Sequence, residues 1–244
     1  PVHHITFDGA SAWNLARDLW DSYQSFASQQ SPHPSSAAAF GAFVDWQADM
    51  LASDTGKELR SHWRDALFDA PPPTRLPSHI APLVPPDTPR GTVEFMISKA
   101  DLHDLRRLAS DASTTPASVL CTAYMATLAR AFDLKDVTLA VPVLGRPSSR
   151  FAQSIGYFTN VVPLHCRLAH LETVLSQITN VANTLAVALD TSDLPLPEIL
   201  AQGKQTAPRL AFAYQNLAPA TDAPMPDGLA VSPVTELAQN GGHD

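Results

Sequence analysis

The chain has 244 residues and a hydrophobic content of 45%, which is enough to bury a substantial core in one large domain or two small ones. Its 24 acidic and 16 basic side chains give a formal charge of −8 at pH 7, which argues against a nucleic-acid surface built on phosphate neutralisation. It has no apolar run of membrane-spanning length and no secretory signal, so the expected protein is soluble and cytoplasmic.

The most distinctive stretch comes first and reads HHITFDG, with His3 beside His4, Asp8 four places further and Gly9 next to it. A neutral imidazole can take up a proton near pH ~7 and return it to a leaving group. A carboxylate close by can hold a loop or a ring orientation, directly or through an arginine, without being protonated itself. Gly9 supplies the backbone freedom of a sharp turn. The heptapeptide therefore suits an acid/base site.

Two other interpretations of these residues stay open. An adjacent histidine pair also arises by chance, and Asp-Gly is an ordinary turn signal. A metal site is disfavoured, because zinc sites usually have four ligands at characteristic spacings and no CxxC or HExxH pattern accompanies the pair. We expect no metal.

Three helices are predicted in the first part of the chain, at residues 11–26, 37–51 and 57–68. The first has Ser11 as its N-cap and carries an apolar stripe made of Leu15, Leu19, Tyr23 and Phe26. A linker at residues 31–36 separates it from the second. Trp46 and Trp63 lie in the second and third helices and are interpreted as core residues.

Residues 70–89 are rich in proline, which excludes a helix or a central strand. We predict an extended linker over residues 71–91. It divides the chain into a first portion, residues 1–70, which carries the histidine motif, and a second portion, residues 92–244.

Strands alternate with helices in the second portion, which predicts an α/β layer architecture. The predicted strands are residues 92–97, 137–143, 161–166 and 209–214, and the predicted helices are residues 101–108, 115–132 and 171–189. Cys121 and Cys166 lie far apart in these elements, so they are expected to be buried thiols of a reducing compartment.

Two loop residues are further site candidates. Arg146 follows a strand and presents a permanently charged fork that a carboxylate could meet, although a solvated arginine in a turn fits equally well. Asn160 lies at the start of a predicted strand, shortly after Gly156.

The heptapeptide resembles the HHxxxDG core motif of nonribosomal peptide synthetase condensation domains, in the chloramphenicol acetyltransferase-like superfamily. Later stretches resemble further motifs of that family in the same order. They are Trp46 and Trp63, VPVLGR at residues 141–146, IGYFTNVVPL at residues 155–164, and DLP at residues 193–195. The sequence departs from the family pattern at Thr191 and Ser192, where His-Gln is usual, and it lacks the acidic residue that often follows the arginine.

The resemblance implies an α/β, two-lobed chloramphenicol acetyltransferase-like fold whose active site lies in a tunnel between the lobes. Residues 1–70 would then be the C-terminal part of an incomplete N-terminal lobe, and residues 92–244 a C-terminal lobe truncated at its end. We expect the chain to be an internal fragment that is inactive by itself.

The resemblance also implies the reaction, which is amide formation between two acyl or aminoacyl groups carried as thioesters. His4 would be the catalytic residue, as a base or as a positioning group. His3, Asp8 and Gly9 would support it, with Asp8 directed to a structural arginine. That arginine is expected to precede this chain, which leaves Asp8 without its partner.

Arg146 and Asn160 are expected to line the tunnel or to support the site. No cofactor would bind directly, because the substrates arrive on phosphopantetheine arms. The implied partners are donor and acceptor carrier proteins and neighbouring adenylation domains of a multidomain synthetase. Three alternatives are an epimerization domain, an ester-forming acyltransferase and a non-catalytic condensation-like domain that recruits partner enzymes.

Overall fold

The computed structural model describes residues 2–32, 36–68, 70–76, 91–168, 173–203 and 205–215. Its helices are α1 (Gly9–Ala27), α2 (Phe40–Ala52), α3 (Asp54–Leu67), α4 (Lys99–Asp111), α5 (Pro116–Phe132), α6 (Val174–Asp190) and α7 (Leu196–Gly203). Its strands are β1 (Asp136–Val143) and β2 (Asn160–Arg167), and short 3-10 helices lie at His4–Thr6 and Ser149–Phe151. Within these ranges no helix is long and apolar enough to cross a membrane.

The sheet is an antiparallel pair in which Asp136 faces Arg167 and Val143 faces Asn160. The predicted strand at residues 209–214 contributes only a parallel bridge to the other edge of β1. There the Ala140 N–H donates to the Leu210 carbonyl at 2.7 Å, and the Phe212 N–H donates to the Ala140 carbonyl at 3.0 Å. The connection between β1 and β2, residues 144–159, is long and carries much of the candidate site.

The main core joins α3, α5, α6 and α7 to both strands. Trp63 of α3 is 3% exposed, and its indole N–H donates to the Thr191 carbonyl at 3.1 Å, which confirms its predicted place in the core. Thus α3, which belongs to the predicted first portion, packs with the second. The division at residues 71–91 stays a prediction, and residues 77–90 lie outside the described part of the chain.

A second, aromatic cluster lies under the β1–β2 connection. Phe43 packs against Phe151 and Phe158 with ring centroids 5.6 and 4.7 Å apart. Trp46 is partly buried and stacks on Phe43 at 5.8 Å. Because α2 supplies Phe43 and Trp46, this cluster fixes the connection against that helix.

The apolar stripe of α1 faces outward in the described structure. Leu19 and Phe26 are 69% and 68% exposed, whereas Ser11 and Asn14 are buried on the opposite face. The helix begins at Gly9 and is capped by the side chain of Asp8, so the prediction of Ser11 as N-cap was wrong.

The predicted strand at residues 92–97 does not form. These residues have no sheet partner within the described ranges, and Phe95 and Met96 are 83% and 97% exposed. A strand is defined by its pairing, so alternating sequence without a neighbouring strand leaves only an extended segment.

Both cysteines are buried free thiols, as the sequence predicts. Burial raises the pKa of Cys121 to about 12, with a further contribution from nearby Cys166. Burial likewise raises the pKa of Cys166 to about 11, against an opposing hydrogen bond with Thr184.

Candidate active site around the histidine pair

A short 3-10 helix presents the two histidines. His3 caps it, because its Nδ1 accepts the Ile5 N–H at 3.1 Å. The His3 carbonyl accepts the Thr6 N–H at 3.1 Å and the Thr6 hydroxyl at 2.9 Å. The ring and the carbonyl of His3 are thus hydrogen-bonded within the turn. The side chain of His4 is exposed.

A short hydrogen bond indicates the tautomer of the His4 ring. Its Nδ1 lies 2.6 Å from the Phe7 carbonyl oxygen. A carbonyl only accepts, so Nδ1 carries the proton and Nε2 is the basic nitrogen of the neutral ring. The ring of Tyr157 meets the imidazole edge-on, with centroids 5.5 Å apart and planes at 74°. This arrangement suits proton acceptance at Nε2.

Asp8 forms a buried ion pair with Arg146. The guanidinium Nη1 donates to Oδ2 at 2.9 Å and Nη2 donates to Oδ1 at 3.0 Å, with the two side chains 8% and 1% exposed for Arg146 and Asp8. The prediction that Asp8 lacks an arginine partner in this chain was therefore wrong. The partner comes from the β1–β2 connection, far from the motif in sequence but adjacent in space.

Asp8 also accepts two backbone N–H groups, from Ser11 to Oδ1 at 2.8 Å and from Phe158 to Oδ2 at 3.0 Å. Burial by itself would raise the pKa of Asp8. The hydrogen bonds from Arg146, Ser11 and Phe158 outweigh it, so the pKa lies below its ordinary value of 3.8. A carboxylate has about four lone-pair sites, and here four donors fill them. Asp8 is thus held as a structural anion.

Ser11 is a site residue that sequence reasoning missed. Its hydroxyl donates to the Gly156 carbonyl at 2.7 Å and accepts the Gly156 N–H at 3.0 Å and Arg146 Nη2 at 3.1 Å. Asn14, one turn later, donates to the carbonyls of Ala152 and Ser154 at 3.0 and 3.2 Å. The sequence did contain a signal for them. Asp8, Ser11 and Asn14 are spaced by three, which places polar groups on one helix face.

Gly145 allows Arg146 to reach Asp8. Its φ of +60° is left-handed, and a Cβ there would lie 1.8 Å from the Phe158 carbonyl oxygen. Only glycine fits this conformation and this close approach without strain. After this turn the Arg146 guanidinium carbon lies 4.3 Å from the centroid of the Phe158 ring, so the aromatic cluster supports the charge.

The side chain of Asn160 forms hydrogen bonds with backbone groups of the same chain. Its Nδ2 donates to the carbonyls of Ser192 and Leu194, both at 2.8 Å, and its Oδ1 accepts the Leu196 N–H at 3.0 Å. These bonds tie the start of β2 to the loop between α6 and α7, where the DLP residues lie. The contacts are those of a supporting residue.

A small cavity lies beside this loop and is lined by Trp46, Phe158, Asn160 and Asp193 among others. Its volume of about 20 Å³ holds roughly one water molecule and no substrate. Burial raises the pKa of Asp193 there. Within the described ranges, no three His, Cys, Asp or Glu side chains lie close enough together to hold a metal ion.

Comparison with known proteins shows the family of the chain. The sequence model of the family described as "Condensation domain" matches residues 1–231. Polyketide synthase PksN of Bacillus subtilis (strain 168) is 29% identical over 236 residues, which are 90% of this chain and 4% of that protein. Tyrocidine synthase 3 of Brevibacillus parabrevis is 27% identical over 207 residues, 82% of this chain and 3% of that protein.

The solved first condensation domain of the calcium-dependent antibiotic synthetase superposes with a TM-score of 0.70 at 20% identity. The superposition covers 87% of this chain and 46% of that chain, and at this identity it shows the fold alone. The predicted α/β, two-lobed chloramphenicol acetyltransferase-like fold class is confirmed. The chain spans 46% of that solved chain and 4% and 3% of the two synthases.

Proposed function

Because this chain belongs to the condensation-domain family, we propose that it takes part in amide formation between two acyl or aminoacyl groups, each held as a thioester on a carrier protein. In this reaction the acceptor amine attacks the donor thioester carbonyl. The C–N bond forms, the C–S bond breaks, the amine loses a proton and the donor carrier leaves with its thiol.

The observation that carries the proposal is the geometry of His4. The bond from Nδ1 to the Phe7 carbonyl makes Nε2 the basic nitrogen, on an exposed side chain. Nε2 would accept the amine proton during attack, or hold the amine in line and stabilise the tetrahedral intermediate. Both roles need the same nitrogen in the same place. His3 would act through the fold of the turn, since its Nδ1 and its carbonyl are bonded within it.

Asp8 would act by position and not by proton transfer. Its four donors hold it as an anion at the first turn of α1, and through Arg146 and Phe158 they join the motif to the β1–β2 connection. Gly9, as the first residue of α1, begins the helix directly after the cap. The working position of His4 would thus depend on the Asp8–Arg146 pair.

The substrates would arrive on phosphopantetheine arms, with donor and acceptor carrier proteins as partners and adenylation domains as neighbours in a synthetase. No cofactor would bind to the chain itself. Holding two tethered groups in line converts a bimolecular encounter into a nearly unimolecular one, which is worth as much as roughly 7–11 kcal/mol when fully realised. The inactivity of the 244 residues by themselves stays a prediction.

The test uses a domain of full family length that contains these residues, together with a loaded donor and a loaded acceptor carrier. Intact-protein mass spectrometry should show the donor acyl mass added to the acceptor carrier. Mild alkali then cleaves the thioester to that carrier, and the released product should keep the donor and acceptor groups joined by an amide. A released product that alkali splits into separate donor and acceptor groups would indicate an ester-forming enzyme. An unchanged mass with an inverted aminoacyl centre would indicate epimerization, and no transfer would favour a recruitment domain.

A further inference from the structure

The segment Gly156–Tyr157–Phe158 contacts both parts of the histidine motif. On one side, the Gly156 carbonyl accepts the Asp8 N–H at 3.2 Å and the Phe158 N–H donates to the Asp8 carboxylate at 3.0 Å. Between them, the ring of Tyr157 meets the ring of His4 edge-on at 5.5 Å. The segment that fixes Asp8 therefore also delivers an aromatic ring to the histidine.

We propose that Tyr157 is a positioning residue for His4. The hydrogen bond from Nδ1 to Phe7 orients an exposed imidazole, and a swing of the ring about its Cβ–Cγ bond would break this hydrogen bond. An edge-to-face aromatic contact restricts this swing, because such pairs prefer a defined mutual orientation. Tyr157 thereby keeps Nδ1 on the Phe7 carbonyl and Nε2 directed at the reacting groups. The proposal rests on the proposed function, since it takes His4 as the reacting base or positioning group.

The phenol ring, and not the hydroxyl, makes this contact. Replacement of Tyr157 by phenylalanine should leave turnover near wild type, and replacement by alanine should lower it roughly two- to tenfold, the factor that one aromatic pair is worth. Tyr157→Leu, which keeps bulk but removes the ring, should resemble the alanine variant. Turnover and kcat/KM should fall together, because the contact acts on the transition state through His4.

The experiment combines the kinetics with a measurement of the His4 tautomer by ¹⁵N NMR. The domain of full family length is labelled with ¹⁵N-histidine, and the His4 ring signals are assigned by their loss in His4→Gln. Wild type and Tyr157→Phe should show the proton on Nδ1, whereas Tyr157→Ala and Tyr157→Leu should gain the Nε2–H form. Tyr214→Ala removes a similarly exposed tyrosine from the segment after α7 and should change neither the signals nor the rate.

Tyr157→Ala should slow product formation in the wild-type background and have no further effect in the His4→Ala background. Equal slowing in both backgrounds, or an unchanged His4 tautomer together with an unchanged rate, overturns the positioning role. A distinct result, His4→Ala at the wild-type rate, defeats the proposed function. In that case the tautomer readout still decides whether Tyr157 orients His4. Urea unfolding of each variant separates these effects from a general loss of fold.

Discussion

Replacement of Arg146 by methionine tests the buried ion pair that ties the histidine motif to the β1–β2 connection. Methionine keeps an unbranched apolar stem, so the change is mainly loss of the guanidinium. Asp8 would lose two charge-assisted bonds at 2.9 and 3.0 Å while remaining 1% exposed at its side chain. Removal of one partner of a buried pair costs about 3–5 kcal/mol, a large fraction of the roughly 5–15 kcal/mol that stabilises a domain.

Urea unfolding of the domain measures this loss as a difference in the free energy of unfolding. Arg150→Met is the matched control, because Arg150 lies on the same connection and stacks on Phe151 at 4.5 Å but is exposed. It should cost less than about 1 kcal/mol. An Arg146→Met protein as stable as the Arg150→Met control would refute the interpretation of the pair.

The pH dependence of the stability difference between wild type and Arg146→Met provides a second, independent test of the ion pair. The pKa of Asp8 in the folded protein lies below 3.8, so its contribution to stability is present above that value and is lost as the pH falls through the folded pKa. Without Arg146, the largest of the contributions that lower the pKa of Asp8 is lost, so this pKa would be higher than in wild type and the protonated form more favoured. The stability difference between wild type and Arg146→Met should therefore be largest near pH ~7 and shrink toward pH ~3. A difference that does not change with pH would contradict the account.

Three further outcomes follow from the geometry. Gly145→Ala should destabilise by at least about 1–3 kcal/mol in thermal unfolding, since a strained backbone and a clash with the Phe158 carbonyl combine; an unchanged Tm would show that the turn can relax. Asn160→Ala should cost about 1–3 kcal/mol and speed amide exchange at Leu196, because it leaves three backbone groups without their bonds; unchanged exchange would contradict the supporting role. Cys121 and Cys166 should resist iodoacetamide at pH ~8 in the folded protein and react in urea, since burial raises their pKa values to about 12 and about 11; rapid labelling of the native protein would refute this.

Elements with strong local signals were predictable from the sequence. Helix α5 and strand β1 agree with the predicted residues 115–132 and 137–143 to within a residue. Their apolar spacing is regular and their burial follows it. The short helix α7 was missed, because it has only 8 residues, one of them Pro197, and these carry too little periodicity.

The candidate site residues His4, Asp8, Arg146 and Asn160 were singled out from the sequence, and their functional roles stay predictions. Their pairings could not be predicted. The ion pair joins residues 138 positions apart, and sequence spacing does not reveal which carboxylate a distant arginine meets. The outward stripe of α1 was misleading for a related reason. Hydrophobic spacing marks an apolar face, whereas the polar face with Asp8, Ser11 and Asn14 makes the contacts in the described structure.

The most direct test of the central claim is the single-turnover rate of amide formation by the His4→Ala domain, with His3→Ala as the neighbouring control. A positioned base contributes on the order of a hundred- to ten-thousand-fold, so His4→Ala should lose at least about a hundredfold. His3→Ala should lose activity only in proportion to its loss of folded protein. Dipeptidyl product from His4→Ala at the wild-type rate would contradict the account.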